Sequence, residues 1–214
     1  MDVLTRLDEQ RRAVNVLEHP FYQRWSAGEL SAGELSLYAG EYRHAVVALA
    51  AASAQAAESA PASERLGLQR HAEEETAHVA LWEEFERAVG GRTPGEEPAL
   101  AQTQTCAQAW TAGEDLLERL AVLYAIEAGQ PEISTTKLEG LASHYGFSEE
   151  GPATEYFRVH ELRDVEHARD ARALIEELMA DVEDPEEQAD RMVSRASAAL
   201  RGNWLLLDGV EAGS

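Results

Sequence analysis

The sequence predicts an all-α protein, a single compact bundle of seven to eight helices over residues 1–207 followed by a flexible tail at 208–214. Three observations lead there. Apolar residues recur at spacings of three and four along nearly the whole chain, the period of an amphipathic helix. No segment shows the alternation of β-branched and polar residues that marks a strand. Proline and glycine cut the chain into helix-sized pieces, and no piece between them is long enough to link separate domains.

The elements follow in order. A first helix covers residues 3–17 and stops at His19-Pro20. The stretch Ser26-Ala-Gly-Glu29-Leu is then repeated as Ser31-Ala-Gly-Glu34-Leu, each copy with the serine-to-glutamate spacing of a capping box. The second copy opens a long helix to about residue 58. Pro61 and Ser63 restart the chain, and the next helix runs to Val89 before Gly90-Gly91. Residues 92–100, with Pro94, Gly95 and Pro98, read as a loop. One helix is expected over 103–128, ending at Gly129-Gln-Pro131, and a short one over 134–145. Long helices over 153–180 and from Asp184-Pro185 to about residue 207 complete the bundle.

Composition narrows the function. The 214 residues carry 40 acidic against 18 basic side chains, a formal charge of -22. That charge excludes a phosphate-rich partner such as nucleic acid and disfavours an anionic membrane surface. A single cysteine, Cys106, makes no internal disulfide, and the N-terminal residues lack the apolar run of a signal peptide, so a cytoplasmic location is expected. The apolar stretch at 45–52 is too short to cross a bilayer.

The chemistry shows where the core seams turn polar. Steps of three and four trace Leu68, His71, Glu75, His78, Trp82, Phe85 and Val89 on one helix. They trace Leu116, Leu120, Leu123 and Glu127 on a second, and Phe157, His160, Asp164, His167 and Leu174 on a third. Taken singly, a histidine on a seam is usually a hydrogen-bonded core residue, and a glutamate within Glu73-Glu74-Glu75 is usually solvated. Three helices with polar insertions on apolar seams are another matter. A buried carboxylate costs several kcal/mol unless compensated, and no lysine or arginine shares these positions. Metal is the simplest compensation. Glu75, His78, Glu127, His160, Asp164 and His167 form a mixed N/O set suited to divalent iron, manganese or zinc rather than calcium or magnesium. A carboxylate can bridge two ions, so a dinuclear site is expected, and its net positive charge would favour an anionic substrate or a reduced-oxygen ligand.

These residues carry a resemblance. His160-x-x-x-Asp164-x-x-His167, preceded by Leu123-Tyr-Ala-Ile-Glu127 and a histidine-bearing helix, resembles the haem-oxygenase-like di-iron oxidases and oxygenases over nearly the whole chain. The run from Leu17 to Leu30, with Tyr38, Tyr42, His78, Trp82, Phe85 and Tyr145-Gly-Phe147, is similar to one branch. That branch is typified by the chlamydial protein associating with death domains; the N-terminal run is shared more loosely with TenA-like and PqqC-like proteins.

The resemblance implies two ions, Fe2+ or a Mn2+/Fe2+ pair, held by the six residues above, with O2 as co-substrate, an external reductant and a small-molecule substrate. It also implies a homodimer. Family members of the named branch make p-aminobenzoate from their own side chains; Tyr22 matches the consumed tyrosine, Tyr38 a nearby tyrosine and Lys137 the nitrogen source. Lys137 is the sole lysine beside 17 arginines. Arginine cannot replace an amine that must shed its proton. The sequence departs from the branch at two places. The longer spacing between its glutamate pair and histidine is missing, which leaves Glu74 or His71 able to replace or supplement Glu75, although seam phase favours Glu75. A family tyrosine before the central glutamate is Ile126 here.

Two other readings compete. Other relatives use the same dimetal chemistry on free amino acids or fatty acids, by N-oxygenation, desaturation or C–C cleavage. TenA-like thiaminases use a cysteine nucleophile, for which Cys106 is the sole candidate.

Overall fold

The computed structural model describes residues 2–91 and 100–213. The loop expected at 92–100 falls almost entirely outside them. Among the described residues the chain is helical throughout, with no strand: α1 (Val3–Ala13), a 3-10 turn (Val16–Glu18), α2 (Pro20–Ala27), α3 (Ala32–Ser59), α4 (Arg65–Ala88), α5 (Ala101–Trp110), α6 (Leu116–Glu127), α7 (Gln130–Ser143), α8 (Glu155–Met179) and α9 (Pro185–Ala212). No described helix is long and apolar enough to cross a membrane.

The two copies of the five-residue repeat do opposite things. Ser31 and Glu34 close a reciprocal capping box and start α3. In the first copy Gly28 takes a left-handed conformation at φ +72° and ends α2, its N–H bonding back to the Trp25 carbonyl. A Cβ there would meet the His144 ring at 2.7 Å, so glycine is required twice over.

Four other expectations change. The helix expected over 103–128 is broken between Trp110 and Leu116, where Gly113 sits at φ +153° and the Asp115 side chain accepts the Glu118 N–H to open α6. Pro20 does not merely stop a helix; it occupies the first turn of α2 behind the His19 cap. The helix expected from 134 begins earlier, at Gln130, because Pro131 likewise fits a first turn. The tail expected at 208–214 is helical to Ala212, because Gly209 and Val210 are buried against the bundle.

Two apolar clusters share the interior. One is rich in rings, with Phe21, Tyr22, Trp25, Tyr38, Tyr42, Trp82, Phe85, Trp110 and Phe157. The other is mainly aliphatic and joins α1, α6, α8 and α9 through Leu4, Leu7, Leu120, Ile175 and Met192. Three buried indoles tie helices together by donating to backbone carbonyls: Trp82 to Ala39, Trp110 to Ala199 and Trp25 to Lys137. The alanines of α3, among them Ala39, Ala45, Ala52 and Ala56, are buried and bring its backbone close to its neighbours.

Gly140 on α7 lets the Trp25 indole reach Lys137. A Cβ added at Gly140 would stand 2.5 Å from Trp25 Nε1. An alanine in a helix normally adds about 1 kcal/mol over glycine, but overpacking costs about 1–3 kcal/mol. Gly140→Ala is therefore expected to lower stability by about 1 kcal/mol net. A urea midpoint equal to or above that of the parent would reject this account of the α2–α7 contact.

Candidate metal centre

The seam positions converge. Glu75 and His78 come from α4, Glu127 from the end of α6, and His160, Asp164 and His167 from α8; five of these are buried and His167 is nearly so. His78 Nδ1 lies 3.1 Å from Glu75 Oε1, His160 Nε2 3.8 Å from Glu75 Oε2, and His167 Nδ1 3.4 Å from Asp164 Oδ1 and 3.8 Å from Glu75 Oε1. His71 joins them, its Nε2 2.8 Å from Glu127 Oε1.

Glu74 points elsewhere. Its Oε2 takes both the Arg163 guanidinium at 2.7 Å and His167 Nε2 at 3.1 Å, at the rim of the cluster. That bond leaves Nδ1 of His167 facing inward. His160 donates from Nδ1 to the Tyr156 carbonyl at 2.7 Å, which leaves its Nε2 facing inward too. An outer acceptor that fixes ring orientation and tautomer is the usual support of a metal-binding histidine.

The donor set fits a cation. Eight buried polar atoms without a hydrogen-bond partner gather here: His71 Nε2, Glu75 Oε2, both Glu127 oxygens, both Asp164 oxygens, His160 Nε2 and His167 Nδ1. Each unpaired buried group costs about 1–3 kcal/mol, more when charged. The ligating atoms of His71, Glu75, Glu127 and His167 lie within 4.8 Å of one another, as do those of Glu75, His78 and His160. Glu75 belongs to both sets, the position of a shared carboxylate.

The same demand for positive charge sets the proton affinities. Burial pushes the Glu75 carboxyl up, but the imidazoles of His160 and His78 overrule it and hold it below the usual carboxylate range. Asp164 is raised, by burial first and then by Glu127 and Glu75. His167 is raised to about 9, with Asp164, Glu127, Glu74 and Glu75 outweighing burial. His160 is raised as well, against burial, by Glu75 and Asp164.

Beside the cluster lies an aromatic chamber around Lys137. This side chain is 1 % exposed, and its Nζ stands 5.5 Å from the centre of the Tyr22 ring, 5.3 Å from Tyr38, 4.8 Å from Tyr42, 5.5 Å from Trp82 and 5.0 Å from Phe157. The Tyr22 and Tyr38 hydroxyls are 3.2 Å apart. Burial drives the Lys137 amine well below its ordinary value and drives the Tyr22 and Tyr38 phenols well above theirs. The sequence alone did not mark Trp82 and Phe157 as walls of this chamber. The signal was their spacing: Trp82 lies one turn beyond His78, and Phe157 one turn before His160. Tyr156 closes the gap between the two sites, stacked on His160 at 3.9 Å and edge-on to Trp82 at 4.9 Å.

A pocket of about 520 Å³ opens from solvent onto the cluster past Leu68, His71, Glu74, Arg163 and His167. Cys106 lies far from the chemistry expected of a thiolate: it is buried, its Cα sits 3.1 Å from where a Cβ on Gly202 would stand, and burial raises its thiol.

Comparison with known proteins agrees with this architecture. Residues 37–204 match the family described as iron-containing redox enzymes. The chain is 33 % identical to the 4-aminobenzoate synthase of Chlamydia muridarum, covering 96 % of this chain and 91 % of that one. It is 34 % identical to the 4-aminobenzoate synthase of Chlamydia trachomatis, covering 96 % and 93 %. Among solved structures, a Shewanella denitrificans domain with a haem-oxygenase-like fold superposes with a TM-score of 0.76 at 18 % identity, over 100 % of this chain and 93 % of that one. The helical bundle is thus of the haem-oxygenase-like fold, and the chain belongs to the family of haem-oxygenase-like iron-containing redox enzymes.

Proposed function

We propose that the protein is an O2-dependent non-haem dimetal oxidase that makes 4-aminobenzoate from its own side chains, with Tyr22 supplying the ring and Lys137 the nitrogen. The observation that carries this reading is the placement of the sole lysine amine 5.5 Å from the centre of the Tyr22 ring, inside a chamber whose Trp82 wall meets Tyr156, which in turn stacks on His160 of the metal-binding cluster. Glu75, His78, Glu127, His160, Asp164 and His167 would hold the ions. Iron, alone or paired with manganese, would supply there the reduction of O2 and the oxidising power that a phenol ring requires, with electrons from an external reductant.

The chain's own residues do the rest. Comparing a tyrosine side chain with 4-aminobenzoate shows which bonds change: Cα–Cβ breaks and Cβ is oxidised to the carboxylate carbon with O2 as the oxidant, while the ring carbon loses its hydroxyl oxygen as water and takes the Lys137 nitrogen, whose bond to Cε breaks. The nitrogen donor must present a lone pair, and desolvation shifts Lys137 toward that neutral form. Tyr38 donates to or accepts from the Tyr22 hydroxyl and fixes that ring beside the amine. Phe157, Trp82 and Tyr42 exclude water that would compete for the ring.

A second reading rests on the pocket. Its arginine-bearing mouth, with Arg70, Arg163 and Arg169, suits a free amino acid or fatty acid presenting a carboxylate to the same cluster. Intact-mass measurement separates the two. After anaerobic ferrous loading and exposure to O2, the parent chain should lose mass and release 4-aminobenzoate, whereas Tyr22→Phe and Lys137→Met should keep their full mass. A parent of unchanged mass that turns over an added amino acid rejects self-consumption in favour of the pocket reading.

The neutral amine has a second consequence. Because burial lowers the proton affinity of Lys137 in the folded state while the unfolded chain binds that proton up to a pH of about 10.4, this group makes stability rise with pH in the window below 10.4. The slope is about 1.4 kcal/mol per pH unit between the lowered folded value and the unfolded one. Lys137→Met is expected to be more stable than the parent at neutral pH, with the advantage shrinking toward pH 10. A difference in unfolding free energy that stays constant from pH 7 to 10 would show that the buried amine keeps its proton.

A further inference from the structure

Helices α4 and α8 carry the same pattern. On α4 it reads His71-x-x-x-Glu75-x-x-His78, and on α8 His160-x-x-x-Asp164-x-x-His167. In both, histidine, carboxylate and histidine at i, i+4 and i+7 share one helix face. The fold sets the two patterns against each other in opposite order: the His71 ring lies 4.1 Å from that of His167, and the His78 ring 4.5 Å from that of His160. Glu127 joins on the His71 side, its Oε1 2.8 Å from His71 Nε2.

From this geometry we propose that His71 is itself a metal ligand, so that His71 and His167 with Glu127 would hold one ion and His78 and His160 the other, with Glu75 within reach of both groups and Asp164 remaining in the ligand set beside His167. The inference rests on the reading of the cluster as a dimetal centre. His71 Nε2 lies 2.8 Å from Glu127 Oε1 and 3.9 Å from Glu75 Oε1, yet it forms an aligned hydrogen bond with neither. A plain ion pair would turn its N–H onto one oxygen; a donor lone pair aimed at a point between several oxygens does not. The two ions are then unequal in access. His71 and His167 line the pocket open to solvent, and His78 and His160 do not. The ion on the His71 side is the one that meets solvent and small molecules, and it leaves first when a chelator is applied. Arg163, through Glu74, holds the His167 ring on that same side.

Anaerobic titration of the full chain with ferrous ion, read by metal content and by X-ray absorption at the iron edge, tests this without reference to turnover. The parent should take up about two ions per chain, each seen with imidazole scattering. His71→Ala should keep one tight ion and bind the second at least ~100-fold more weakly. Where circular dichroism shows that the alanine variant does not fold, His71→Glu carries the test: it should keep about two ions while the imidazole signal falls by about a quarter, three rings in place of four. Two ions bound as tightly by His71→Ala as by the parent, or an undiminished imidazole signal in His71→Glu, overturns the assignment of His71 while leaving the dimetal centre standing. A parent chain that takes up no iron overturns the centre itself.

Discussion

Three carboxylates, those of Glu75, Glu127 and Asp164, are almost wholly removed from water within a few ångströms of shared imidazoles, and everything around them answers to that charge. Desolvation of each costs several kcal/mol, and their mutual repulsion adds to it. The Arg163 guanidinium is engaged at the rim by Glu74 and Glu166. Positive charge at the centre therefore arrives either as protons on imidazole or as metal cations. The raised affinities of His160 and His167 are the proton form of this answer, and the inward-facing Nε2 and Nδ1 atoms are the metal form. Because α4, α6 and α8 each contribute, the same compensation fixes how these helices meet.

The chamber next to it works by the opposite rule. Its walls are rings, and a ring face attracts an ammonium, yet enclosure on all sides removes more solvation than the faces return, so the amine is driven toward its neutral form. The same enclosure keeps the phenols of Tyr22 and Tyr38 protonated. Burial thus favours the neutral form of both amine and phenol over an ion pair between them. Helix α4 serves both regions at once: Glu75 and His78 reach the charged centre, and Trp82, a turn further on, walls the apolar chamber while its indole N–H is spent on the Ala39 carbonyl.

How far the site could be read in advance depended on residue type and helical phase. The acids and imidazoles of α8 stood out because they interrupt a seam that is otherwise apolar. Glu75 could be preferred to Glu74 because adjacent residues point about 100° apart on a helix, and the fold turns Glu74 outward to Arg163. His71 was harder to assign, since its meaning lies in a match between two helices rather than in its own surroundings. Local signals had similar limits. The duplicated Ser-Ala-Gly-Glu-Leu looks the same in both copies, but one meets the His144 ring and ends a helix while the other caps one. The break at Gly113 was hidden because the apolar period continues on both sides of it.

The linear chain determined by itself the helical class, the acidic surface, the residues whose presence on an apolar seam demands compensation, and the singularity of Lys137. These depend on periodicity and composition, which are local properties. Only the tertiary structure decided that His71 faces His167 and His78 faces His160, that Glu75 is common to both groups, and that the amine on α7 lies among rings from α2, α3, α4 and α8. Contacts between residues far apart in the chain follow from how helices cross and in which direction they run, and that is set by the packing of whole faces rather than by any one segment.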